Sequence, residues 1–167
     1  ETKSNGSRLN VLKHGVELAN IHLDLMYNKP ATTFNRELNM LYKKNIFTVS
    51  EEVWASDEER IDLVIFLNGL AVITFELKCN AAGQSYKDAI FQYRMQRNPK
   101  TRLFLWKAGA LVNFAMDLEE AYMSTRLSGP STFFLPFNMG RGEGIDVGAG
   151  NPILEDEYSV HYIWDNI

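Results

Sequence analysis

The reading of this chain turns on residues 60–78, Arg60-Ile-Asp62-Leu-Val-Ile-Phe-Leu-Asn68-Gly69-Leu-Ala-Val-Ile-Thr-Phe-Glu76-Leu-Lys78. Two apolar runs flank Asn68-Gly69, a dipeptide that closes β-hairpins because both positions accept a positive φ. One strand runs from Ile61 to Leu67 and the other from Ala71 to Lys78. Ile61, Leu63, Ile65 and Leu67 make one all-apolar face of the first; Ala71, Ile73, Phe75 and Leu77 make one of the second. A one-residue slip turns every side chain over, so these faces coincide only if odd residues pair with odd. A two-residue loop pairs Leu67 with Leu70 and breaks the match. A three-residue loop, Asn68 to Leu70, pairs Leu67 with Ala71 and keeps it. The longer loop is therefore expected, with Asp62 opposite Glu76, Lys78 two residues further along the same face, and the core against the other face. Opposed Cβ atoms in such a pair lie about 5 Å apart.

Two carboxylates that close repel unless positive charge lies between them. A hard divalent cation such as Mg²⁺ answers that need, preferring carboxylate oxygens and keeping several waters. Lys78 then has a role beside it, orienting or deprotonating a water on the ion, or steadying charge that builds on a phosphate. Asp, then Glu-x-Lys across a hairpin, resembles the PD-(D/E)xK nuclease signature. The competing reading of the same three residues is a salt-bridge cluster at a solvated strand end.

The remaining sequence bounds the answer. The chain has 167 residues, enough for one domain with its own core. Its apolar and charged fractions, 46% and 23%, are those of a globular protein and exclude a disordered or fibrous one. The single cysteine, Cys79, excludes an internal disulfide and suits a reducing compartment. No signal peptide and no apolar run of membrane-spanning length is found. A net charge of −4 argues against a self-sufficient nucleic-acid binder, which is normally basic, but not against a nuclease whose DNA is held by other domains. The first residue, Glu1, and the ending Trp164-Asp165-Asn166-Ile167 read as those of a piece of something larger.

Outward from the hairpin, Leu9 to Leu18 reads as a short helix and Ile21 to Leu25 as a strand. Thr32 or Thr33 would cap a helix carrying Phe34, Leu38, Leu41 and Tyr42, with Glu37 in its first turn. Ile46 to Trp54 reads as a strand with Phe47, Val49 and Val53 inward. After the turn Cys79 to Gly83, Gln84 to Arg97 reads as a helix with Ala89, Ile90 and Tyr93 facing the sheet, ended by Asn98-Pro99. Arg102 to Trp106 and Ala110 to Met116 are expected as short strands, and Asp117 to Met123 as a short helix. The order helix, three strands, helix, strand is the α-β-β-β-α-β core that a true nuclease signature requires. From Ser128 onward glycine dominates. Met139 to Gly150 has neither a P-loop ending nor G-x-G-x-x-G spacing, and reads as a connector.

Other candidates carry less. His14, His22 and His161 share no metal-ligand spacing, and nothing arranges a triad around Cys79. Lys87, Arg94, Arg97, Lys100 and Arg102 could hold phosphates, or form a solvated helix face followed by a turn. Gln92 and Tyr93 follow Lys78 at the distance at which a helix over the site returns a polar group. Glu37 offers a further carboxylate, or simply a glutamate placed by the helix dipole.

With these residues in view, a family resemblance emerges. Ile61-Asp62-Leu63-Val64, Phe66 to Leu70 and Phe75-Glu76-Leu77-Lys78 resemble the amino-terminal domain of the R subunit of type I restriction-modification enzymes. So do Asp88-Ala89-Ile90, Gln92-Tyr93-Arg94, Asn113 to Asp117, Phe134 to Asn138 and Gly148 to Pro152, in order along the chain. The resemblance implies an α/β PD-(D/E)xK restriction-endonuclease-like domain over residues 1–127. Residues 128–167 would be the glycine-rich connector and the start of a helicase-like motor domain. It implies Mg²⁺ at Asp62 and Glu76, with Lys78 as the catalytic lysine; beside it, the Leu77 carbonyl is a natural further ligand and Glu37, from its own helix, a further candidate. Gln92 is similar to the glutamine of the family's Q-x-x-x-Y motif, although Gln96 stands where the tyrosine belongs. The implied partners are double-stranded DNA and the modification and specificity subunits, in a bacterial or archaeal cytoplasm, with ATP needed only by the motor and no membrane. The rival expectation is a docking module that keeps the fold without the chemistry.

Overall fold

The structure, a computed structural model, describes residues 6–140 together with 150 and 151. Its frame is a six-stranded mixed sheet in the order β3-β4-β5-β6-β7-β8. The strands are β3 (Phe47–Trp54), β4 (Arg60–Leu67), β5 (Leu70–Leu77), β6 (Val112–Met116), β7 (Ala121–Ser124) and β8 (Leu135–Pro136). Only β5 and β6 are parallel. The crossover between them carries a short 3-10 turn, Asn80–Ala82, and helix α3 (Tyr86–Met95). Parallel neighbours require such a crossover, and here it lays α3 over the sheet. Before the sheet come α1 (Arg8–His14), a small hairpin of β1 (Val16–Leu18) and β2 (Ile21–Leu23), and α2 (Arg36–Tyr42).

The hairpin at the centre closes differently from the expectation, yet reaches the same register. Leu67 pairs with Leu70, so the loop is the two-residue Asn68-Gly69, both with positive φ (49° and 81°). Phe66 pairs with Ala71, but Ile65 pairs with Ile73, leaving Val72 as an extra residue in β5. This β-bulge restores the parity that the short loop breaks. Leu63 therefore faces Phe75, and the same register carried one residue further sets Asp62 against Glu76.

Both faces of this hairpin are packed, not one. Leu63, Ile65, Ile73 and Phe75 join a cluster with Phe114 and Met116 on one side. Val64 and Phe66 join Ala89, Tyr93 and Phe104 on the other, and so, against strict alternation, do Ile61 and Ala71, the latter because the bulge pairs it with Phe66. The face expected to meet solvent at Asp62 and Glu76 is thus the one covered by α3, because the parallel crossover must dock its helix somewhere. Helix α3 starts at a Ser85 N-cap with a full capping box to Asp88, and Tyr86 N–H donates to Asp117 Oδ2 at 2.9 Å, tying the helix start to the end of β6. Ala89 and Tyr93, one turn apart, are fully buried, with Ile90 beside them, as the spacing predicts.

Several sequence expectations are corrected. Helix α1 ends before Gly15, whose φ of 69° breaks it, and Val16–Leu18 is a strand. Asn35 caps α2 in place of Thr32 or Thr33, and Phe34 is exposed. Phe47 and Val49 lie outward because β3 is an edge strand with little packed on that face. Residues 102–106 form turns, since Gly109 and Ala110 bond back to Leu105 and Leu103 and not to a neighbouring strand. Asp117 to Met123 is not a helix: the Asp117 side chain accepts from Glu119 and Glu120 N–H to form a tight turn, and Ala121–Ser124 continues as β7. Through Phe137 the chain still packs on the domain, with Phe134 in the core and Phe137 edge-on to Phe114. The glycine-rich stretch read as a connector falls largely on residues 141–149, and the following element on 152–167; both lie outside the described residues.

Candidate active site

The site forms where β4 begins and β5 ends, beneath the C-terminal end of α3. Asp62 Oδ2 accepts a 2.7 Å hydrogen bond from Leu77 N–H, which fixes the carboxylate across the strand pair. Lys78 Nζ lies 4.0 Å from the same oxygen, with its side chain 11% exposed and that of Asp62 33% exposed. Lys78 N–H donates to the Met116 carbonyl at 2.9 Å, so its backbone is held by β6 just past the end of β5. Of the residues named from sequence, the structure brings Asp62, Glu76, Leu77 and Lys78 together.

Glu76 is the deepest member, fully buried on the covered face of β5. Arg97, just beyond α3, reaches back over it: Nε donates to Glu76 Oε1 at 2.7 Å, and Nη2 donates to the Arg60 carbonyl at 2.9 Å. The other oxygen, Glu76 Oε2, is buried with no hydrogen-bond partner. Burial pushes the Glu76 pKa up to about 7, and the Arg97 guanidinium offsets only part of that rise. Next along the same face, Thr74 Oγ1 bonds to Tyr93 Oη at 2.8 Å and to Asn113 Oδ1 at 2.7 Å, and Asn113 donates to the Ser124 carbonyl. This buried polar string locks α3, β5, β6 and β7 in register behind Glu76. Burial drives the Tyr93 pKa upward, which keeps the phenol neutral.

Sequence reasoning missed Arg97 as part of the site, grouping it with Arg94 and Lys87 as phosphate holders or surface. Arg94 is also committed, its Nε donating to the Thr132 carbonyl. The signal for Arg97 was present: Ala89, Tyr93 and Arg97 recur at four-residue spacing on the buried stripe. Tyr93 is a core residue, not a site residue. Gln92 lies on the flank of α3, half-buried, with no side-chain hydrogen bond to the site. Glu37 is exposed on α2. The segment after α2 is tied to the far end of the hairpin, through Ile46 N–H to Asn68 Oδ1 and Asn68 Nδ2 to Asn45 Oδ1. No contact joins Glu37 to the site among the described residues. Cys79 is exposed.

The donor chemistry fits a hard divalent cation. An orphaned, buried carboxylate oxygen on Glu76 sits with Asp62, and all the side-chain donors are oxygens. Among the described residues no third acidic, histidine or cysteine side chain completes a cluster, so the rest of a coordination sphere would come from backbone carbonyl and water.

Mixed sheet, α-β-β-β-α-β order and a paired carboxylate with lysine at the end of the central hairpin together define a restriction-endonuclease-like α/β core. The family model described as Type I restriction enzyme R protein N terminus matches residues 5–132. The chain belongs to that family, and its domain is the amino-terminal domain of a type I R subunit. Comparison with curated proteins and with solved structures gives no match. Among the described residues, no helix is long and apolar enough to cross a membrane.

Proposed function

We propose that this domain is the nuclease of the R subunit, hydrolysing DNA phosphodiesters with Asp62 and Glu76 holding Mg²⁺ and Lys78 assisting. The observation that carries the reading is the meeting of Asp62 and Lys78, 4.0 Å apart, beside a buried Glu76 oxygen that no protein group satisfies. Leu77 would add its carbonyl to the ligand set, with Glu37 a candidate only if α2 moves. When bound, the ion supplies Lewis-acid stabilisation of charge developing on the phosphate. Lys78 contributes a nearly buried positive charge to the same phosphate, where low solvent access strengthens it. Asp62, fixed by the Leu77 N–H, keeps its carboxylate in one orientation through the reaction. Gln92 is assigned a polar contact to DNA or water from the flank of α3. The substrate is double-stranded DNA, delivered by an ATP-driven motor and by the modification and specificity subunits, in a bacterial or archaeal cytoplasm. The net charge of −4 supports leaving DNA capture to those partners.

One observation favours the rival reading, a docking module without chemistry: Arg97 already neutralises Glu76 at 2.7 Å. Supercoiled-plasmid cleavage by the assembled complex with ATP and Mg²⁺ separates the two. Lys78→Ala is expected to abolish cutting while ATP turnover persists. Cutting at the wild-type rate would move the chemistry elsewhere and leave this domain a docking element.

A further inference from the structure

A second group of charged side chains lies away from the nuclease site, at the loop end of the hairpin. Arg8 donates through Nη1 to the Ala71 carbonyl at 2.7 Å, beside the bulge, and its Nε is buried without a hydrogen-bond partner. Arg102, from the turns after α3, stands close enough that its charge, after burial, helps to lower the Arg8 pKa. Neither arginine has a carboxylate partner among the described residues. By contrast, Arg60 pairs with Glu52 and Arg97 with Glu76.

Both arginines line two adjoining cavities, which also share Leu70. One, of about 290 Å³, is walled by Trp54, Phe66 and Ala71; the other, of about 260 Å³, by Leu25 and Leu105. Among the described residues, no acidic side chain lines either cavity. Two guanidinium groups brought together without a counter-charge are unfavourable in the free protein, and an oxyanion between them removes that penalty. Arg8 is already oriented by the Ala71 carbonyl, so little ordering remains for a ligand to induce. The cavities exceed what a bare oxyanion needs, and an exposed indole at the wall suits a flat ring.

We infer that Arg8 and Arg102 form an anion site for the phosphate of a nucleotide, carried either by a free nucleotide or by a DNA strand. The site is independent of the nuclease reading, since it shares no residue with Asp62, Glu76 or Lys78.

The test titrates the 167-residue chain with inorganic phosphate, with AMP and with a short DNA duplex, followed by calorimetry and by tryptophan fluorescence. Saturable binding is expected, weakened at least about tenfold by Arg102→Glu, an exposed position whose change leaves the fold intact. Arg8→Lys, which keeps the charge and loses the fork, is expected to weaken it as well. AMP binding more tightly than the duplex identifies the free nucleotide as the source. The reverse order, with steep salt dependence, identifies the strand. No saturation by any of the three probes, or unchanged binding by Arg102→Glu, overturns the inference. Loss of binding in Lys78→Ala, with thermal melting unchanged, also overturns it, because the ligand would then sit at the nuclease site.

Discussion

Arg97 Nε sits 2.7 Å from Glu76 Oε1, with the two side chains 8% and 0% exposed, so this ion pair is closed off from bulk water. Removing one partner of such a pair strands the other. Arg97→Met is expected to cost about 3–5 kcal/mol near pH 8, and less near pH 5, where the Glu76 carboxyl can take up a proton. Urea denaturation at the two pH values measures this. Equal costs at both would mean that Glu76 does not titrate in the fold.

The raised Glu76 pKa also gives the wild-type domain a pH slope. The unfolded carboxyl titrates near 4.5 and the folded one at about 7, so the folded state holds an extra proton across that interval. In metal-free buffer this contribution is greatest below pH 4.5 and is lost as pH rises through about 7, a fall of about 3 kcal/mol. Glu76→Gln should flatten that part of the stability curve. A slope that survives the substitution would have to come from other groups.

Asp62 is a third exposed, its contact with Lys78 is long, and an asparagine oxygen in its place can still accept from Leu77 N–H. Asp62→Asn is expected to shift unfolding by no more than about 1 kcal/mol while abolishing plasmid cleavage by the assembled complex. Stability loss and retained cutting would together show a structural aspartate.

Tyr93 and Gln92, neighbours in sequence, should behave oppositely. Tyr93→Phe removes the bond to Thr74, which keeps its partner Asn113, and is expected to cost about 1 kcal/mol with cleavage unchanged. Gln92→Ala should leave stability within about 0.5 kcal/mol and reduce cleavage by tenfold or more. Thermal melts beside cleavage assays on both variants decide the assignment.

The parts legible in the sequence were those with strong local periodicity. Strands β4 and β5, the buried stripe Ala89–Tyr93 and the opposition of Asp62 to Glu76 all follow from parity and helical spacing. The bulge was not legible, because apolar Val72 fits either face and nothing local marks it as extra. Which face α3 would cover was equally hidden, since alternation shows that a strand has two faces but not what lands on them. Strand β3 failed for that reason: Phe47 and Val49 look inward by composition, yet lie on the edge of the sheet. Arg97 was lost to a charge-based reading, although its position on the α3 stripe placed it over the core. Asp117 to Met123 misled through residues that favour helices, where a side-chain turn at Asp117 wins. Glu37 stayed apart because nothing in its own segment reveals that the following residues are pinned at the opposite end of the hairpin.

The bulge at Val72 gives the hairpin the logic of a reading frame. The short loop shifts the strands by one residue and the bulge shifts them back, so the loop end and the site end run in different phases. Deleting one residue at either place should turn the carboxylates of Asp62 and Glu76 out of alignment. A matched insertion in the loop and deletion at the bulge should leave them facing each other. The turn can therefore change length over evolutionary time without disturbing the chemistry, provided the correction is made within the few residues that lie between.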